Sequence, residues 1–210
     1  GNNIGDIFIF EQVVALLIDH LALVIGDIIV FEQMFTNIKV APFDLALGSN
    51  DGIGDHTVFN GLTQLLADGV KNLEGVQSDD WILVHDAARC LITDFEINRL
   101  IDACLDDEVG CLLALPLPDT LKASVNGRVS QTLPRQDKWL AQTPQMFRAG
   151  QLQAALAAKA ADNFEGITDE ASAMEMAGFA PKLVVGSPHN FKVTYPPDFA
   201  LAEDLLRSRT

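Results

Sequence analysis

The sequence predicts an α/β fold, and three observations carry that expectation. Apolar runs bounded by polar residues recur at Trp81–Val84, Gly110–Leu117 and Lys182–Gly186. Between them lie stretches whose apolar residues fall at helical spacing, as at Asp94–Leu105 and Gln151–Lys159. Turn formers separate the two kinds of segment. Strand and helix in alternation build an α/β domain, and an unbroken apolar run fits a strand covered on both faces, as in a parallel sheet.

The N-terminal part reads less simply. Ile4–Gln12 is echoed by Ile25–Gln33 at an offset of 21 residues, too few copies for a solenoid. Phe8–Phe10 is expected as a strand, Glu11–Leu17 as helix or strand, and Ile28–Phe35 as a helix after a turn. Lys39–Leu47 is expected as a strand interrupted by Pro42, hence at an edge or bulge. Gly48–Asp55 is rich in turn formers. It reads as a plain turn before a phosphate loop, because no Gly-Lys-Ser/Thr follows. Thr57–Leu66 has helical spacing, with Asp55 or Thr57 as its cap.

The second part is more regular. Trp81–Val84 is a buried strand, followed at once by His85 and Asp86. Asp94–Leu105 is an amphipathic helix capped by Thr93 or Asp94. After the strand Gly110–Leu117, Asn126-Gly127 sits between alternating runs, the strongest short-range hairpin signal. The hairpin carries little apolar surface and is marginal alone, so it needs something to pack on, such as another subunit. A helix follows at Gln151–Lys159. Thr168 is expected to cap the next one without a full capping box, and Gly178 to end it. Lys182–Gly186 is the last strand. Pro196-Pro197-Asp198 opens the C-terminal helix Phe199–Leu206.

Composition bounds the function. The chain has 210 residues and fits one domain, 1–210. Its net charge of −15 argues against a general nucleic-acid binder, which needs a basic face. A phosphorylated small molecule stays compatible, since a few local cations hold a phosphate. Those cations must come from the later part: Lys39 is the sole Lys or Arg before Lys71. Three cysteines without metal-ligand spacing read as reduced thiols of a cytoplasmic protein. No basic leader opens the sequence, and the apolar stretch Val13–Ile18 is too short to span a bilayer.

Asp86 and Arg89 stand at the carboxyl end of the strand Trp81–Val84. Open α/β sheets bind ligands there, and Ala87 and Ala88 let a ligand come close. The alternative is a solvated turn in which Asp86 and Arg89 merely pair.

Five motifs then agree in order and spacing: V-H-D-A-A-R at 84–89, P-D-T-L-K at 118–122, P-R-x-x-x-W-x-A-Q-T-P-Q at 134–145, I-T-D-E-A-S-A at 167–173 and N-F-K-V-T-x-P-x-D at 190–198. In these the chain resembles the 2-C-methyl-D-erythritol 4-phosphate cytidylyltransferases, over about residues 80–206. The resemblance implies a Rossmann-like nucleotidyltransferase fold with a mostly parallel sheet. It also implies a β-arm, here at about 119–135, that joins two subunits into a homodimer. The implied reaction couples CTP and the polyol phosphate with release of pyrophosphate, aided by Mg²⁺. It assigns Arg135 and Lys192 to catalysis. Asp86, Ala87, Arg89, Thr120, Thr143 and Thr168 fall to the substrate, with Asp86 also near the magnesium. Thr57, and Gly52 within Asn50–Gly54, correspond to nucleotide contacts. On local sequence alone Thr168 reads equally as a helix cap, Lys192 as a solvated lysine, and Arg135 as a partner of Asp119 or Asp137.

The chain departs from the family at its start. P-A-A-G-x-G-x-R and P-K-Q, which wrap the triphosphate there, do not occur, and Gly54 replaces an arginine. Three readings compete: a missing or altered N-terminal stretch, a divergent inactive relative, and a nucleotide site on another loop. The first is favoured, because one Lys and no Arg over 70 residues suits a CTP site poorly. A transferase for another sugar or polyol phosphate is a further alternative.

Overall fold

A computed structural model of the chain describes residues 27–32, 37–41, 78–86 and 88–209. The expectations for 1–26, for 42–77 (Gly52 and Thr57 among them) and for Ala87 lie outside the described residues. Eight strands and four helices are described: β1 (Asp27–Glu32), β2 (Asn37–Ala41), β3 (Trp81–His85), α1 (Asp94–Leu105), β4 (Gly110–Pro116), β5 (Leu121–Val125), β6 (Arg128–Leu133), β7 (Trp139–Arg148), α2 (Ala149–Ala160), α3 (Glu170–Met176), β8 (Lys182–Val185) and α4 (Pro196–Arg207).

Six strands form one sheet in the order β2-β1-β3-β7-β4-β8. The α/β class holds, and the pairings among the described strands are mixed in direction. Among the described strands β4 and β8 pair parallel, and the other pairings are antiparallel. Four strands of this sheet nevertheless share one direction. β2, β3, β4 and β8 run one way, and β7 runs against them between β3 and β4. Burial does the rest. Ile82, Val84, Leu112 and Phe147 pack on α2 and α3, while Trp81, Leu83, Cys111, Leu113 and Met146 pack on α1. Helices thus cover both faces, and β3 is buried at all five positions. Two covered faces, not parallel neighbours, demand an unbroken apolar run.

Strand β1, Asp27–Glu32, occupies the first part of the helix expected over Ile28–Phe35, whose residues 33–35 lie outside the described ones. Ile28, Ile29 and Val30 are β-branched, stiff at χ1 and better suited to a pleated strand. Strand β2 ends at Ala41. The rest of the strand expected over Lys39–Leu47 lies outside the described residues.

Strand β7 has no clear signature in the sequence. Gln142, Thr143, Pro144 and Gln145 interrupt its apolar pattern, yet all four are buried. Its pairing with β4 skips there: Leu112 pairs with Gln145 and Ala114 with Ala141. A bulge is where a sheet tolerates proline and re-aims side chains. Here it aims Thr143 at the end of β3.

The helix ends follow local chemistry. Thr93 caps α1 in a reciprocal box with Glu96. At α3 the expectation is corrected: Asp169, not Thr168, is the cap. Asp169 accepts from the Ser172 backbone, Ser172 Oγ accepts from the Asp169 backbone, and the box is complete. The carboxylate of Asp169 is the stronger acceptor and sits one residue closer to the helix. Pro196 opens α4 at its first turn, three residues earlier than expected.

The hairpin forms as expected. β5 and β6 make a separate two-stranded sheet, turning at Asn126 and Gly127 with φ of 52° and 74°. Positive φ at both central positions is the hairpin turn that Asn-Gly favours. The hairpin is largely exposed, including Val125 and Val129.

At the end of β3 the His85 imidazole is buried, against Thr143 Oγ1 at 3.0 Å and the Arg89 carbonyl at 3.2 Å. Burial pushes its pKa down to about 4, with Asp86 and the Arg89 carbonyl opposing the shift. A depressed histidine pKa stabilises the fold above the unfolded value near 6.5 and withdraws that stability as pH falls toward 4. Between pH 7.5 and pH 4 this group should cost up to about 3 kcal/mol. Urea unfolding of the wild type and of His85→Gln over that range should show a shallower pH dependence in the variant.

Gly110 has φ of +121°, and a Cβ there would lie 2.4 Å from the Met146 carbonyl oxygen. Both the backbone angle and the space exclude a side chain. Gly110→Ala should lower stability by at least about 2 kcal/mol, read as a drop in the thermal or urea midpoint.

Candidate functional site

The site is built where β3 ends and the bulge of β7 begins. The Asp86 N–H donates to Thr143 Oγ1 at 2.9 Å. A side-chain hydroxyl thus carries the contact between β3 and β7 past their last ladder pair, Val84 with Gln145. The same oxygen lies 3.0 Å from His85 Nδ1. The Arg89 carbonyl can only accept, so neutral His85 carries its proton on Nε2. Nδ1 is then bare, and the Thr143 hydroxyl donates to it. Thr143 is locked by two polar neighbours.

Beyond this lock lies a charged cluster. Asp86 Oδ2 is 3.3 Å from Lys192 Nζ and 3.5 Å from Arg89 Nε. The Asp86–Arg89 pairing expected of a plain turn therefore exists, but a third partner arrives from more than 100 residues away. Arg89 is mostly buried, Asp86 about one-third exposed and Lys192 half exposed. Arg89 also donates to the Asn190 carbonyl at 2.9 Å. A solvated lysine would need none of this. Exposed ion pairs contribute little to stability, so the cluster is better explained by what it presents to solvent: two cations and one carboxylate at the end of a buried strand.

The structure brings Asp86, Arg89, Thr143 and Lys192 together and leaves three other expected residues apart. Arg135 lies at the base of the hairpin and donates to the Pro118 carbonyl. It lines an open recess of about 460 Å³ between Pro116–Pro118 and Arg135–Trp139. Among the described residues it pairs with neither Asp119 nor Asp137, and no hydrogen bond links it to the cluster within one chain. Thr120 is exposed just before β5, and Thr168 is exposed just before α3. The Thr168 N–H donates to Ser172 Oγ at 2.8 Å, and the helix terminus behind it is occupied by the Asp169 carboxylate.

Sequence reasoning missed the buried polar residues that hold the cluster. Gln142 donates from Nε2 to the carbonyls of Ser187 and Asn190, at 3.0 and 3.1 Å. Asn190 donates from Nδ2 to the Thr143 carbonyl at 2.8 Å. Gln145 donates to Asp169 and accepts from the Ala171 N–H, tying β7 to the start of α3. An amide in a run otherwise destined for burial is a signal, because it needs partners, but sequence does not name the partners.

For a divalent cation the donors are few: no cluster of three or more His, Cys, Asp or Glu occurs among the described residues. Asp86 is a single carboxylate. Magnesium is commonly held by one or two carboxylates together with substrate phosphates, and a lone carboxylate facing solvent fits that mode.

Comparison with known proteins gives a consistent result. Residues 53–208 match the model of the family IspD, 2-C-methyl-D-erythritol 4-phosphate cytidylyltransferase. A bifunctional enzyme IspD/IspF of Albidiferax ferrireducens is 58% identical over 154 residues, covering 73% of this chain and 34% of that protein. A 2-C-methyl-D-erythritol 4-phosphate cytidylyltransferase of Bordetella parapertussis is 60% identical over 132 residues, 63% of this chain and 57% of that one. The chain thus spans between one-third and three-fifths of the length of these two relatives. Among solved structures, a 4-diphosphocytidyl-2C-methyl-D-erythritol synthase superposes with a TM-score of 0.64 at 42% identity, covering 72% of this chain and 66% of the other. The Francisella tularensis cytidylyltransferase gives 0.63 at 34% identity, with 71% and 66% covered. With three-quarters of its length matched and the end of β3 inside the match, the chain belongs to the 2-C-methyl-D-erythritol 4-phosphate cytidylyltransferase (IspD) family.

Proposed function

We propose that the protein transfers a cytidylyl group from CTP to 2-C-methyl-D-erythritol 4-phosphate, releasing pyrophosphate and giving 4-diphosphocytidyl-2-C-methyl-D-erythritol. The observation that carries this reading is the Asp86–Arg89–Lys192 cluster at the carboxyl end of β3, within a chain of this family. A phosphate oxygen of the polyol attacks the α-phosphorus of CTP. The bond from that phosphorus to the β-phosphate oxygen breaks, and pyrophosphate leaves with its electron pair. Two polyanions must be brought together, so the protein's work is positioning and charge neutralisation. Lys192 holds the polyol phosphate, and Asp86 and Thr143 accept hydrogen bonds from its hydroxyls. Arg89 sets the direction of the Asp86 carboxylate.

Arg135 belongs to this machinery through a second subunit. The hairpin β5–β6 is an exposed two-stranded sheet that is marginal alone. We assign it to a homodimer arm that carries Thr120 and Arg135 to the partner's substrate. We assign Thr168 a hydroxyl contact to the substrate on the strength of its motif. Mg²⁺ would be held by Asp86 and the triphosphate, where it would neutralise phosphate charge. The three cysteines are free, which supports a reducing, cytoplasmic setting. No helix among the described residues is long and apolar enough to cross a membrane. Thr57 and Gly52 are assigned to the nucleotide.

One observation favours a second reading, a non-catalytic relative that binds the polyol phosphate: residues 1–70 offer Lys39 as their sole Lys or Arg. Pyrophosphate release from CTP, Mg²⁺ and the polyol phosphate separates the two. Turnover supports transfer; calorimetric binding of the polyol phosphate without turnover supports the rival.

If transfer occurs, Lys192→Ala and Arg135→Ala should each lower kcat/KM by about 100-fold or more, measured as initial rates on folded protein. Removing residues 121–133 should shift the sedimentation coefficient from dimer to monomer and abolish turnover together.

A further inference from the structure

Past Gly186, whose N–H still donates to the Ala114 carbonyl, the segment between β8 and α4 leaves the sheet, yet it delivers Lys192 to Asp86. Its anchors are few. Asn190 is fully buried. Its Nδ2 donates to the Thr143 carbonyl at 2.8 Å, inside the β7 bulge. Its own carbonyl accepts from Arg89 Nη1 and from Gln142 Nε2, at 2.9 and 3.1 Å. Three residues on, the Val193 N–H donates to the Ala88 carbonyl at 2.8 Å. Lys192 lies between these two fastenings. Consecutive Cα atoms are about 3.8 Å apart, so anchors three residues apart leave the residue between them little travel.

The Asn190 side chain is an expensive way to fill space. Its Oδ1 is buried with no partner among the described residues. An apolar residue would avoid that desolvation cost. What the amide supplies is a single donor aimed at β7.

We propose that Asn190 is a positioning residue: it clamps the 187–193 segment onto the β7 bulge and so sets Lys192 over Asp86. The proposal rests on the cytidylyl-transfer reading for its consequence, but not for its geometry. Asn190 touches no substrate in this scheme; it acts through Lys192.

The test uses Asn190→Ala in the full chain, with Asn190→Ser carrying the same comparisons if the alanine variant fails to fold. In native-state hydrogen exchange the Val193 amide should lose protection by about tenfold or more, while the β4 amides change by less than about twofold. In the transfer assay KM for the polyol phosphate should rise by about tenfold or more, with KM for CTP within about twofold of wild type. In a Lys192→Ala background the Asn190 substitution should add less than about twofold, because the group it positions is gone. Unchanged Val193 protection overturns the proposal. So does a loss of protection spread equally through β4, which marks a purely structural role, and so does an effect that multiplies fully with Lys192→Ala. If wild-type protein shows no turnover, the transfer reading fails, and the exchange comparison still decides the clamp.

Discussion

The hydroxyl of Thr143 is the contact on which the rest of the site depends. It accepts from the Asp86 N–H and donates to His85 Nδ1. Through it the bulge of one strand is joined to the end of another that no longer shares a ladder with it. The last ladder pair between these strands is Val84 with Gln145. Past that point backbone pairing gives way to side-chain pairing, and the chain gains room for a carboxylate to face solvent. A regular ladder would have turned Asp86 into an ordinary strand residue.

The packing around this contact shows why it can be held rigidly. The sheet has a helical layer on each face, and the residues just before the site, Ile82 and Leu83, are inaccessible to solvent. Such close-packed surroundings move little. The polar residues that follow then tie the elements together: Gln142 and Asn190 zip the segment after β8 onto β7, and Gln145 fastens the start of α3. The site thus stands on amides, and the amides stand on an apolar core.

Much of this was legible in the sequence, and the remainder has identifiable physical causes. The strands at 81 and 110, the Asn-Gly hairpin and the Thr93 cap are local signals, and they emerge as read. Asp86, Arg89 and Lys192 were named from motifs, and the fold joins them. Strand direction is not legible locally, because burial on both faces leaves the same apolar run whether the neighbours are parallel or not. β7 went unread because its polar centre is satisfied by residues far away in sequence, which no local period reports. The Asp169 cap was passed over for Thr168 because two adjacent residues both qualify, and their order against the helix is settled only by backbone geometry. Arg135 was named from a motif too, but within one chain it binds the Pro118 carbonyl at the hairpin base and stays apart from the cluster.

The carboxylate that Lys192 and Arg89 share has a consequence for which anions are admitted. With Asp86 between them, the two cations are already supplied with a counter-ion before any ligand arrives. A newcomer must therefore out-compete a tethered neighbour rather than fill a bare positive hole. Chloride, a single dispersed charge without directional acceptors, gains little from that exchange. A doubly charged group with several oxygens in fixed directions gains much more. The arrangement in this sense favours multiply charged groups with directed acceptors over a single dispersed charge.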